Sequence, residues 1–348
     1  MTPSPGGRPP NCVPKWDFHA RSRKRWARVR IAARMGAGLV LGVADSSRPS
    51  LLQDLAWRLE ALAFDAVTLL ARSFPIDAVS DFGAILVGWL GPLTSTNRVV
   101  ETNIRIAFPD LDDAGVDRLV RAQWRALGRW AAEFPILDKI IGDPGRVEVV
   151  NGERLVAIAR GPESVVFISG HFSSMEIMPA VIIQAGITCQ ITYRATNNPH
   201  VDARIRKSRF RYGVRLFAPK GGDGARELIR ALARGECVAL MNDQKFNGGV
   251  LAPLFGVDCH TAPGPSSFAL RFGIPLTPMS VQRVEKARFR VIVHEDIHLE
   301  DTGDRNADID ASVRRVNAFM EDRIRDRPEE WFWVHKRWPN DVYRRQKA

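Results

Sequence analysis

Cysteine is scarce in this chain, with four residues in 348: Cys12, Cys189, Cys237 and Cys259. Their spacings of 177, 48 and 22 match no zinc pattern and no disulfide framework, and they fit a reducing compartment. Long apolar runs are also missing. The longest uncharged run near the N-terminus, Phe82 to Asn97, is 16 residues and contains glycine and proline. That is short of the roughly 20 residues needed to span a bilayer. The N-terminus lacks the apolar core and small-residue cleavage site of a secretory signal. No zinc, nucleotide or nucleic-acid module stands out.

What is there begins with basic charge, unevenly placed. Residues 1–34 carry nine Lys/Arg against one acid, Asp17, so +8 of the net +11 sits in this arm. Basic arms bind nucleic acid or anionic lipid surfaces. With nothing else resembling a nucleic-acid module, an anionic membrane surface is the expected partner; a solvated arm without a partner is the alternative. Residues 1–50, rich in Pro, Gly, Ser and Arg, read as a basic, disordered arm.

Two apolar segments follow. Leu51, Leu52, Leu55, Leu59, Leu62, Leu69 and Leu70 recur at helical spacing with Asp54, Arg58 and Asp65 between them, which predicts an amphipathic helix. Phe82 to Leu93 is apolar nearly all round. Residues 51–98 therefore read either as helices packed on the main domain or as a monotopic membrane anchor. From residue 99 to 342 the pattern is that of one α/β domain. A long helix is predicted over Asp112–Lys139 and the last one over Ile309–Asp326. Between them fall strands at Val165–Ile168, Ile187–Tyr193, Val238–Met241, Leu276–Val284 and Phe289–Val293. The helices expected among these are Ile177–Ala185, Asp202–Tyr212, Glu227–Ala233 and Ser266–Phe272. A mixed sheet flanked by helices is the expected fold.

The stretch carrying chemistry is Ser169-Gly-His171-Phe-Ser-Ser-Met-Glu176. It follows the apolar strand Ser164–Ile168. Loops at strand ends carry reactive side chains while the sheet holds them rigid. With a helix starting after Phe172, Glu176 would reach back to His171, fix its tautomer and stabilise the imidazolium. The pair is then a general base; a core histidine capped by a glutamate is the other reading.

His-x4-Glu after a hydrophobic strand resembles the signature of the glycerolipid acyltransferases, and more specifically the lipid A lauroyl and myristoyl transferases of Gram-negative bacteria. The resemblance runs from about Asn103 to Trp338. It covers Asn103-Ile-Arg-Ile-Ala-Phe-Pro109, Tyr193-Arg194, Asn198-Pro199, Arg209, Pro219-Lys220-Gly-Gly, Asn242-Asp243-Gln244-Lys245, Leu254-Phe255-Gly256 with Thr261, and Pro328-Glu-Glu-Trp331-Phe-Trp333-Val-His335-Lys-Arg337-Trp338. Ser173-Ser174-Met175 departs from the family, which usually has an aromatic residue or Asn-Trp ahead of the glutamate.

The resemblance implies a glycerolipid-acyltransferase-like fold, held at the cytoplasmic face of the bacterial inner membrane through its N-terminal part. It implies acyl transfer to a hydroxyl of a lipid A precursor. The donor would be an acyl thioester, acyl carrier protein in preference to coenzyme A, with no cofactor and no covalent intermediate. His171 would be the base, oriented by Glu176. Arg194, Arg209, Lys220, Asp243 and Lys245 would bind substrate or an oxyanion, with positioning of Arg194 or Arg209 as the alternative role of Asp243. An acceptor among other glycolipids or lysophospholipids, or a non-catalytic lipid-binding paralogue, are the alternatives. An acidic carrier would be steered by the basic Arg204–Arg211 helix.

Three features point elsewhere. His294-Glu-Asp-Ile-His298 matches the zinc-protease pattern, which requires both histidines on one helix turn. It follows the strand-like Arg288–Val293, where the two rings would lie ~13 Å apart, so no metal is expected. Lys220-Gly-Gly-Asp-Gly224 lacks the Gly-Lys-Ser/Thr of a P-loop, although a helix start there could meet a phosphate. Trp331, Trp333 and Trp338 read as core, with His335-Lys336-Arg337 as a possible contact for anionic head groups.

Overall fold

Leu51–Ser73 (α1) is a 23-residue helix capped by Ser50, whose hydroxyl accepts the Gln53 N–H. The structure, a computed structural model, describes residues 49–345 except 216, 220 and 221; the basic arm and Lys220 lie outside the described residues. Of α1 only Ala61 is buried. The helix forms where the leucine spacing predicts it, with its acids rather than its leucines in contact with the rest of the chain. Its acids turn inward: Asp54 meets His200 at 3.0 Å, Glu60 accepts from Asn198, and Asp65 takes Arg204 at both oxygens. Its leucines turn out, from Leu51 and Leu52 to Leu69 and Leu70.

Ile76–Leu90 (α2) starts six residues before the apolar run, taking in Asp77 and Asp81. Those two acids bind Arg146 and Arg129. Ile76–Leu93 thereby becomes an 18-residue segment apolar enough to cross a bilayer by length and composition alone. One face of it is occupied, however. It crosses Asp113–Glu133, the second helix after it, so closely that a Cβ on Gly83 would meet the Gly128 carbonyl oxygen at 2.3 Å. The other face exposes Phe82, Ile85 and Trp89.

Asn97–Ala107 (α3) and Asp113–Glu133 (α4) follow, then Leu137–Gly142 (α5). The long helix predicted over Asp112–Lys139 breaks at Phe134–Ile136, a 3₁₀ turn with Pro135 in it. The α/β part runs Val147–Val150 (β1), Gly152–Arg160 (α6), Val166–Ser169 (β2), Ile177–Gln184 (α7), Cys189–Tyr193 (β3), Pro199–Arg211 (α8) and Phe217–Pro219 (β4). Gly222–Ala233 (α9), Cys237–Met241 (β5), the hairpin Val250–Leu254 (β6) and Val257–Thr261 (β7), and Gly264–Phe272 (α10) come next. Leu276–Glu285 (β8), Arg288–Val293 (β9), Arg305–Asp326 (α11) and Asn340–Arg345 (α12) complete it.

Seven strands form one mixed sheet in the order β1-β9-β8-β2-β5-β3-β4. β8, β2, β5, β3 and β4 are mutually parallel, and β9 runs antiparallel to β8. β2 is central, and all four of its residues are buried, which explains its uninterrupted apolar character. The expected mixed sheet flanked by helices is the fold observed. β1, β4, the β6–β7 hairpin, α3 and α6 were not anticipated.

Candidate active site

In the β2–β5 pairing, Ser169 lies opposite Met241, the last residue of its own strand. His171 and Asp243 each stand two residues beyond that rung, at the carboxyl edge of the sheet. The register alone brings them together. Asp243 Oδ2 accepts the His171 backbone N–H at 2.8 Å, and Oδ1 lies 2.7 Å from the ring Nδ1. The Trp331 indole N–H donates to Oδ2 at 2.8 Å. Burial by itself would raise the Asp243 carboxyl. The charge of His171 and the hydrogen bonds from His171 and Trp331 outweigh it and hold the group below the usual carboxylate range. The His171 side chain keeps 18% exposure while Asp243 keeps 3%. The imidazole thus opens outward on a buried anion.

The loop is clamped from a second side. Phe172 pairs with Trp331 as an antiparallel bridge, the Ser173 N–H donates to the Glu330 carbonyl, and the Phe332 N–H donates to that of His171. Ser173 takes a left-handed φ of +44°, so the departure Ser173-Ser174-Met175 is a buried, sharply turned segment rather than part of an outer wall. Asn103 on α3 donates to the carbonyls of Trp333 and His335, and the His335 ring stands 6.3 Å from that of His171.

Glu176 does not take the place expected of it. The carboxylate on Nδ1 is Asp243; Glu176 instead pairs with Arg209, through Nη2 and through Nε at 2.9 Å, and accepts from the Tyr212 hydroxyl at 3.2 Å. The reason is positional: Glu176 opens α7, and the basic helix α8 lays Arg209 across it. Arg209 is stacked on the Tyr193 ring at 4.5 Å and lies 5.7 Å from that of Phe217. Burial would lower its basicity, but Glu176 more than offsets that and raises it. Arg209 is therefore committed to an internal ion pair, and Asp243 positions neither it nor Arg194.

The remaining candidates scatter. Arg194 is exposed at the end of β3, and Lys245 is half-buried two residues past Asp243. Gln244, which the residue pattern did not single out, brings its amide nitrogen to 3.4 Å from His171 Nε2. On α8, Arg209 turns inward while Arg206, Lys207 and Arg211 face solvent. Trp331, Trp333 and Trp338 are core, as read. Arg337 is too: it is buried against the His260 carbonyl and the Thr261 hydroxyl, so it cannot meet a head group.

The zinc-protease lookalike begins where β9 ends, and residues 294–300 are not helical. His294 bonds the Ser280 hydroxyl at 2.8 Å and packs edge-on against Phe319. Among the described residues no group of three His, Cys, Asp or Glu side chains is arranged to hold a metal.

The family model for bacterial lipid A biosynthesis acyltransferases matches residues 57–340. The chain is 24% identical over 251 residues to the lipid A biosynthesis palmitoleoyltransferase of Escherichia coli (strain K12), covering 69% of this chain and 77% of that one. It is 22% identical over 249 residues to the lipid A biosynthesis lauroyltransferase of the same organism, with 69% and 78% covered. It also overlaps the crystal structure of the 1-acyl-sn-glycerophosphate acyltransferase PlsC from Thermotoga maritima at 13% identity and a TM-score of 0.33, over 70% of this chain and 98% of that one. The chain belongs to the bacterial lipid A biosynthesis acyltransferase family.

Proposed function

We propose that this member of the lipid A biosynthesis acyltransferase family moves a fatty acyl group from a thioester to a hydroxyl of a lipid A precursor, with His171 as general base and Asp243 as its orienting carboxylate. The observation that carries the reading is the two-point grip of Asp243 on His171 at the sheet's carboxyl edge. With the Nδ1 proton donated to Asp243, the Nε2 lone pair faces outward. It takes the proton of the acceptor hydroxyl as the oxygen attacks the thioester carbonyl. The tetrahedral oxyanion collapses, the C–S bond breaks, and the imidazolium returns its proton to the departing thiolate. Atoms and charge balance without a covalent enzyme intermediate.

Gln244, beside Nε2, is a side-chain donor close to the reacting atoms and a candidate for the oxyanion. Glu176 and Arg209 serve by fixing α7 against α8 rather than by touching the proton. Arg194 and Lys245 are the described cations of the original set left to meet anionic parts of the substrates. Acyl carrier protein is the proposed donor: it is acidic, and Arg206, Lys207 and Arg211 offer it a basic face. The outward leucines of α1 and the Phe82, Ile85 and Trp89 face of α2 support a peripheral or monotopic seat on the cytoplasmic side of the inner membrane.

Mass spectrometry of lipid A from a strain lacking the gene, complemented with wild type or His171→Ala, tests the reading. Loss of one acyl chain, restored only by wild type, is expected. Unaltered lipid A with altered phospholipids would move the acceptor to a lysophospholipid, and no lipid change at all would favour a binding paralogue.

A further inference from the structure

A cleft of about 500 Å³ opens between α3 and the last described helix, lined by Lys336 of the His335-Lys336-Arg337 run together with two arginines of α3. Its walls carry Arg98 and Arg105 from α3 and Lys336 from the irregular segment after Trp333, with the hydroxyls of Ser95 and Thr102 between them. Three cations face one carboxylate, Glu101, which is already held by Asn97 at 2.6 Å. Arg105 has a partner in Asp113, but Asp113 is 92% exposed, so that pair sits in water and exchanges readily. Lys336 lies over the Tyr343 ring, and burial pushes the Tyr343 hydroxyl up to about 12, so it adds no negative charge at neutral pH. A volume of about 500 Å³ falls within the range of small-ligand clefts. Two guanidinium forks and an ammonium around a few hydroxyls match a phosphate ester.

The cleft's place in the fold narrows the ligand. Ser95, on its rim, is two residues past Leu93, which is exposed at the end of the apolar α2 segment. Lys336 is one residue from His335, whose ring neighbours that of His171, and Asn103 ties α3 to this same segment through the carbonyls of Trp333 and His335. Along the chain, the cleft-lining residues thus flank the exposed end of the α2 segment on one side and the neighbour of the catalytic histidine on the other. We propose that it binds a phosphate ester of the lipid acceptor, holding the head group while a neighbouring hydroxyl reaches His171. The proposal rests on the acyltransferase reading for its choice of lipid, though not for the presence of the site.

The test is a binding measurement independent of turnover. Full-length protein and the variants Arg98→Gln, Lys336→Gln and the pair together would be titrated with neutral phosphatidylcholine vesicles. These would carry a phosphorylated lipid A precursor, the same lipid after enzymatic dephosphorylation, or phosphatidylglycerol, and an acyl thioester would be titrated separately. Each substitution should weaken binding of the phosphorylated precursor about tenfold, the loss of one charge-assisted contact, and leave the dephosphorylated lipid unaffected. Equal affinity of all proteins for the phosphorylated lipid overturns the site. So does an equal loss on phosphatidylglycerol, which would mean diffuse attraction to an anionic surface. A loss confined to binding of the acyl thioester would assign the cleft to the donor and overturn the acceptor assignment. Should wild type bind the precursor through these residues yet acylate nothing, the acyltransferase reading falls while the phosphate site stands.

Discussion

Asp243 holds His171 at two points, the backbone N–H and the ring Nδ1, and is itself held by the Trp331 indole. An anion gripping both main chain and ring fixes where the imidazole sits and which nitrogen is left to work. His171→Ala should therefore lower turnover at least ~10²-fold, the usual share of a general base. Asp243→Asn should approach that loss with a similar KM, because an amide can present the wrong donor to Nδ1 and flip the tautomer. Initial rates on acyl thioester and acceptor check both. A fully active His171→Ala enzyme would end the mechanism.

Glu176 and Arg209 make a different prediction. Both side chains are largely buried and neutralise each other, so removing one leaves an uncompensated charge. Arg209→Ala should cost roughly 3–5 kcal/mol of stability, read as a shifted urea midpoint. Activity should fall with the folded fraction at the assay temperature. If Glu176→Gln kept full stability but lost ~10²-fold in turnover, Glu176 would be part of the proton relay after all.

For the membrane seat, cutting the chain before Val99 is a poor test. It would strip α2 from α4, where Gly83 and Gly128 meet backbone to backbone, and uncover core. Charges on the outward face are cleaner. Leu52→Glu with Leu55→Glu, or Trp89→Glu, alter exposed positions only, so they should release the protein from vesicles without changing its melting temperature. Vesicle binding equal to wild type would show that this surface faces something other than lipid.

His294 gives a pH dependence with a definite sign. Burial disfavours its imidazolium and Arg323 adds repulsion, so it titrates near 4 rather than 6.5. Between those values the unfolded chain binds a proton that the folded chain refuses. Stability is therefore intact above about 6.5 and falls as the pH drops toward 4. His294→Gln should flatten that part of the curve relative to wild type. Urea midpoints at pH 7.5 and 5 measure it; parallel curves for the two proteins would exclude His294 as the source.

Apolar runs made the strands of the main sheet legible, because β2 is apolar nearly throughout and fully buried and β5 is apolar throughout. Short edge pieces such as β1 and β4 were not, since three or four residues carry too little pattern to separate from loop. The helix break at Phe134–Ile136 was marked only by Pro135.

The sequence by itself determined that His171 follows a buried strand and that His294-Glu-Asp-Ile-His298 is not helical. It could not determine pairing. Glu176 is five residues from His171 and looked like its partner, whereas Asp243 is 72 residues away. The order of strands put β5 beside β2 with Ser169 opposite Met241, and that contact is set by packing of the whole sheet rather than by any local signal. The same holds for Trp331, which reaches Asp243 from the far end of the chain, and for α1. Local pattern gave α1 an apolar and an acidic face. Only the docking of Asp54, Glu60 and Asp65 onto α8 decided that the acidic face turns inward, because ion pairs there leave the leucines nowhere to go but out.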